Sequence, residues 1–122
     1  MKQTFTIENW LPAPAVNSGA GTQHWSRKRK RTINEKTVAY MFAKAAGWTR
    51  VDIRARLTIT LVFPKRRERD TDNLYSRVKA TVDGLKDHFF VDDSKKWLEL
   101  IVEERVERGR KATIFELEEI SG

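Results

Sequence analysis

Four aspartates and a lysine are the residues of this chain best suited to chemistry, and they stand close together. Asp70 and Asp72 are two apart, Asp92 and Asp93 are adjacent, and Lys79 lies between the pairs. Lys65, Arg66, Arg67 and Arg69 run directly into the first pair. Carboxylates beside cations suit a site that holds a hard metal ion and a phosphate together, because Mg2+ takes oxygen ligands and shares its coordination with phosphate oxygens. The chain has no cysteine and only two histidines, so a metal here would be held by oxygen or imidazole. Each piece alone has an ordinary reading: an Asp-rich start is a common helix N-terminus, a polar face belongs to any surface helix, and an aspartate pair suits a turn. The clustering is what favours a site.

Spacing decides which of these residues can cooperate. On a helix, two residues two apart diverge by about 200°, whereas in extended chain they share a side. Asp70 and Asp72 therefore serve one site only if Asp70 precedes a helix and Asp72 sits at its first turn, with Thr71, Asp72 or Asn73 as N-cap. Setting Asp72 at 0° and stepping about 100° per residue, Lys79 falls near −20° and Asp83 near +20°. Ser76 lies close to the same line. Leu74, Val78, Val82, Leu85 and Phe89 fall at about 200° to 280°, so the helix has a core face opposite a polar stripe.

The remaining elements must position that helix. Residues 3–8 alternate with Phe5 and Ile7 on one face, the period of a half-buried strand. From residue 9 to about residue 31 prolines, glycines and asparagine favour a loop, which carries the basic run Arg27, Lys28, Arg29, Lys30 and Arg31. Thr32 and Glu35 have capping-box spacing, with Val38, Met41, Phe42 and Ala45 at helical intervals and Gly47 as the stop. Residues 51–63 alternate as a long strand ended by Pro64. Residues 97–106 and 111–120 read as a β-hairpin around a turn at 107–110. The expectation is a single α+β domain over residues 1–122, in the order β-α-β-α-β-β. Two main helices pack on a mixed or antiparallel sheet of about four strands.

Charge points to a polyanionic partner. The net charge of +7 is uneven: residues 1–31 hold six basic and one acidic side chain, residues 32–96 fourteen and nine, and residues 97–122 four and seven. Nucleic acid fits better than a membrane surface, because no basic stretch is also a strongly amphipathic membrane-type helix. No run of about 18 apolar residues and no signal-peptide core occurs, so the expectation is a soluble, cytoplasmic protein.

The block RERDTDNL, followed by a lysine, DGL and FFVDDS, resembles the RusA family of Holliday-junction resolvases, endonucleases common in prophages. The resemblance covers residues 64–95 closely and the rest of the chain loosely. It implies a homodimeric, Mg2+-dependent endonuclease, with Mn2+ as a substitute ion, that cuts four-way junctions symmetrically in a bacterial or phage-infected cell. By position, Asp70, Asp72 and Asp93 match the family's metal-binding aspartates, and Asp92 supports them. The family lysine, four residues after the second aspartate, corresponds to Ser76, whereas counting back from DGL it corresponds to Lys79. Lys79 remains on the Asp72 face, one turn further along.

The chemistry has a physical account beside the name. Phosphodiester hydrolysis needs an activated water, charge neutralisation at the phosphoryl oxygens and stabilisation of the leaving oxygen, which carboxylate-held Mg2+ supplies. Asp70, Asp72 and Asp93 would bind the ion, and Lys79 would neutralise charge or orient the water. Lys65, Arg66, Arg67, Arg69 and the run Arg27, Lys28, Arg29, Lys30 and Arg31 would hold the DNA backbone without sequence readout. His24 beside Trp25 is better read as a DNA contact than as a base, and His88 as a complement to a helix dipole. Two rivals stay open: a DNA-binding prophage accessory protein without catalysis, and a structure-selective nuclease of different substrate preference.

Overall fold

The computed structural model describes residues 2–13, 25–66 and 73–120; within residues 25–32 the only side chain described is that of Lys30. Six elements follow one another: β1 (Lys2–Glu8), α1 (Trp25–Ala45), β2 (Ala55–Phe63), α2 (Leu74–Leu85), β3 (Leu98–Val106) and β4 (Ala112–Glu119). The order is the expected β-α-β-α-β-β, and the four strands form one mixed sheet with spatial order β1-β4-β2-β3. Among the described residues no helix is long and apolar enough to cross a membrane.

The expected hairpin of the last two strands is corrected by the sheet. β3 pairs with β2 in parallel, Ala55 opposite Leu98 and Phe63 opposite Val106. β4 pairs antiparallel with β2 on its other edge and with β1 beyond. The short connection after β3 thus arches over the end of β2, where the Glu107 N–H donates to the Phe63 carbonyl (3.0 Å) and the Gly109 N–H to the Pro64 carbonyl (3.2 Å). Gly109 takes φ 77°, a left-handed conformation that glycine adopts without a Cβ penalty. An arch across two strand spacings must cover about 10 Å, within reach of a few residues. Hairpins and such arches share their turn residues, so local sequence does not separate them. Burial does: residues 59–63 are buried without a break, the mark of an interior strand covered on both faces. Arg56 in β2 reports the register, donating to Glu99 in β3 (3.0 Å) and to Glu118 in β4 (3.2 Å).

Both helices contribute to the core cluster that covers one face of the sheet. Ala39 and Ala43 of α1 and Val78, Val82 and Leu85 of α2 join Leu57, Ile59, Leu61, Phe115 and Leu117 in it. At one end of this core, Phe5 stacks on Phe115 (4.6 Å between centroids) and meets Trp48 edge-on (4.9 Å). Trp48 is therefore a core residue, as its aromatic bulk suggests.

Helix α1 departs from expectation at its start and in its buried face. It begins at Trp25, so the basic run lies in its first turns and not in a loop. Lysine and arginine are good helix formers, and no glycine or proline occurs between Gly21 and Gly47 to stop them. Thr32 is inside the helix, seven residues past its start, and so is not its N-cap; Glu35 is buried, and its carboxylate accepts the Ala13 N–H at 2.8 Å. Among its described side chains the buried ones are Glu35, Ala39 and Ala43, one turn apart, while Met41, Phe42 and Ala45 are exposed and Val38 half-buried. Small side chains face inward because α2 approaches closely there. The C-terminus is as read: Gly47 (φ 78°) donates to the Lys44 carbonyl and Trp48 to the Ala43 carbonyl, a Schellman end.

The close approach is made at Gly84. A Cβ there would lie 2.3 Å from the Lys36 carbonyl oxygen and 2.8 Å from its Cα, both backbone atoms of α1. Gly84→Ala gains about 1 kcal/mol of helix propensity but must separate two helix backbones, an overpacking cost of about 1–3 kcal/mol. The net expectation is a lower denaturant midpoint for Gly84→Ala, measured by urea unfolding. A midpoint equal to or above wild type would show that α1 and α2 do not meet at this glycine.

Candidate functional site

Helix α2 carries the site on the face opposite its core contacts. Asn73 is the N-cap, its side-chain oxygen accepting the backbone N–H of Tyr75 (3.0 Å) and of Ser76 (3.4 Å). The inner face buries Val78, Thr81, Val82 and Leu85, matching the apolar face read from the spacing, and Phe89 beyond the helix is buried too. The outer face presents Ser76, Lys79 and Asp83 at successive turns.

These three meet Asp93 in one open cavity of about 280 Å3. Tyr75 stands at its edge, and Val82 of α2 with Leu100 of β3 supply apolar lining. Lys79 and Asp93, fourteen residues apart in sequence, are thus brought together, and Ser76 and Lys79 both line the cavity. Among the described residues neither Lys79 nor Asp83 has an ion-pair partner, so the ammonium group is available to an anion entering the cavity.

The adjacent aspartates have different surroundings. Asp93 is exposed and lines the cavity, whereas Asp92 is not among the lining residues. The Asp93 backbone N–H, with the Ser94 and Asp93 side chains and the charge of Lys86, holds the Asp92 pKa below the usual aspartate range against an opposing effect of burial.

The other expected site residues do not line this cavity or lie outside the described residues. Asp70, Asp72, Arg67 and Arg69 lie outside the described residues, as does His24; the sequence joins Asp72 directly to Asn73, the N-cap of α2. Lys65 and Arg66 are exposed just beyond β2. Arg27, Lys28, Arg29, Lys30 and Arg31 lie in the first turns of α1, where the Lys30 side chain is exposed. His88 is exposed and packs against the Tyr40 ring at 4.6 Å. Three further residues join the surroundings. Tyr75 was legible from the helical step, falling at about −60° beside the polar stripe. Lys95 and Lys96 are exposed in the turn after Asp93, with Lys96 Nζ 5.6 Å from the Trp97 ring centre; only the fold makes them relevant.

The lowered pKa of Asp92 has a definite sign. A carboxyl depressed on folding stabilises the native turn at neutral pH, and that contribution is lost as pH falls through the depressed value. In an NMR titration the Asp93 amide shift should therefore move with a carboxyl titrating below the usual aspartate range, and Asp92→Ala should remove that inflection. An Asp93 amide that titrates at the ordinary aspartate value would show that the turn is not held in this way.

No family model matches the chain. It is similar to an uncharacterized protein of Xylella fastidiosa strain Temecula1, with 28% identity over 109 residues that cover 85% of this chain and 71% of that protein.

Proposed function

We propose that this chain is a metal-dependent endonuclease of the RusA kind, cutting four-way junctions or related branched DNA as a symmetric homodimer in the cytoplasm of a bacterial or phage-infected cell. The observation that supports the reading most directly is the cavity in which Lys79 and Asp93 meet. A carboxylate and a cation that has no ion-pair partner among the described residues, together on one open surface, suit a metal-bridged phosphate. The charge of +7 supplies the attraction for a polyanion.

Asp70, Asp72 and Asp93 would hold Mg2+ or, in its place, Mn2+. The donors fit such an ion in kind, being hard carboxylate oxygens in a chain without cysteine. Among the described residues no three of His, Cys, Asp and Glu form a metal-binding group, and two of the three proposed ligands lie outside them. When bound, the ion supplies an activated water and offsets charge on the phosphoryl oxygens. The chain's own residues do the rest. Asp93 offers its carboxylate from the loop that enters β3, and Lys79 neutralises a phosphoryl oxygen as its charge grows. Ser76 donates a hydrogen bond one turn nearer the N-terminus of α2. Lys65, Arg66 and the basic first turns of α1 bind backbone phosphates on either side, which gives affinity without sequence preference and a steep loss of binding with salt. A four-way junction has near-twofold symmetry, so paired cuts call for two sites related by a twofold axis.

The test is cleavage of a labelled synthetic four-way junction in Mg2+, beside a linear duplex of equal length. Wild type should give paired symmetric nicks on the junction alone. Asp72→Asn and Asp93→Asn should bind it but cut at least about 100-fold more slowly, and Lys79→Ala should lose about as much, while Ser76→Ala, which removes one neutral hydrogen bond, should lose less than any of them. Salt-sensitive binding with no cleavage in Mg2+ or Mn2+ would overturn the enzyme reading and favour a DNA-binding protein without chemistry. Metal-dependent cutting of flaps or single strands in preference to junctions would keep the nuclease and replace its substrate.

A further inference from the structure

Tyr75 is an aromatic residue that the core does not use. Its side chain is 53% exposed, and among the described residues no ring stacks on it and no cation lies over it. Phe42, also exposed, at least leans on Phe5, with centroids 6.4 Å apart. A lone exposed aromatic needs no purpose. Tyr75 differs in its place: it lines the same cavity as Lys79 and Asp93.

We propose that the Tyr75 ring is a stacking platform for an unpaired nucleobase next to the phosphate that Lys79 engages. The inference rests on the nuclease reading above and names the feature of the substrate that this site selects. Tyr75 precedes Lys79 by four residues, so the two side chains lie on neighbouring turns, about 6 Å apart along the axis. That step is close to the reach from a backbone phosphate to its own base. With the ammonium group on the phosphate, the ring meets the base attached to it. The apolar lining from Val82 and Leu100 gives a flat heterocycle a second surface to cover.

The consequence is selection of structure and not of sequence. Every base has a π-face, so stacking on an aromatic side chain is tolerant of base identity. Inside a duplex both faces of a base are covered by its neighbours, whereas at a branch point a face is free or can be freed at small cost. A ring beside the phosphate-binding lysine therefore favours branches over uninterrupted duplex at the position of the cut.

A direct test places 2-aminopurine at the branch of a synthetic junction, with a second junction carrying the probe in mid-arm, and uses Ca2+ in place of Mg2+ so that binding is read without cleavage. Wild type and Tyr75→Phe should change the fluorescence of the branch probe and leave the mid-arm probe unaltered. Tyr75→Ala should give no branch signal and bind the junction about tenfold more weakly, with unchanged duplex affinity and an unchanged melting temperature. Tyr75→Ala behaving as wild type would overturn the proposal. So would Tyr75→Phe behaving as Tyr75→Ala, since the effect would then belong to the hydroxyl group. The underlying reading fails separately: wild type that gives the branch signal but never cuts in Mg2+ would refute the nuclease and leave the stacking platform standing.

Discussion

Strand β2 is hydrogen-bonded along both edges, in parallel to β3 and antiparallel to β4, and the course of the chain around it follows from that double pairing. Parallel strands cannot be joined by a tight turn, so the chain from β2 to β3 must cross over, and α2 is the crossover. Because β1 and β2 are both antiparallel to β4, they too are parallel to each other, and α1 makes the second crossover. Both helices contribute to one core cluster with the sheet and are therefore pressed together. Alanines on α1 and a glycine on α2 are the side chains that this contact permits. Each fully buried leucine, isoleucine or phenylalanine of β2 and β4 then adds about 1.5–3 kcal/mol, which holds the crossovers against the sheet.

The candidate site is a by-product of the same constraint. With Val78, Val82 and Leu85 locked into the core, the opposite face of α2 has no freedom to rotate, and Ser76, Lys79 and Asp83 are held at a defined orientation toward the loop that enters β3. That loop is tied by the Trp97 and Leu98 N–H groups, which both donate to the Ser94 carbonyl (2.9 Å), so the two sides of the cavity are positioned by different means: one by packing, the other by backbone hydrogen bonds. Rigid support of this kind is what lets a site meet a phosphate without reorganising. Arg77 extends the support to the segment after β1, donating to the Pro12 carbonyl at 2.7 Å while its guanidinium lies 5.1 Å from the Phe63 ring centre.

Much of this was legible in the sequence wherever a periodic pattern met a single environment. β1, β2 and α2 announced themselves through alternation or helical spacing, and the step of about 100° placed Lys79 and Asp83 on one face of α2. Three features were not legible, each for a physical reason. The start of α1 was hidden because a run of lysines and arginines has high helix propensity but no apolar period. Its buried face was misread because Ala39 and Ala43 carry less hydrophobic signal than Met41 and Phe42, which the fold leaves outside. The arch after β3 was hidden because strand neighbours are decided by long-range pairing, which turn residues do not encode.

The position of β4 has a consequence for how the molecule is made. Last of the six elements in the chain, it occupies an interior slot of the sheet, between the first strand and the third element. Until it arrives, β1 and β2 each display an open row of backbone donors and acceptors, and the helices have only part of a surface to rest on. A chain emerging from the ribosome can therefore form its helices early but cannot complete the sheet until its final strand is released. Contacts between residues 2–8 and 112–119 span nearly the whole sequence, and closing such a loop precedes any gain from it. Synthesis thus leaves a window in which the half-built sheet is exposed to strangers.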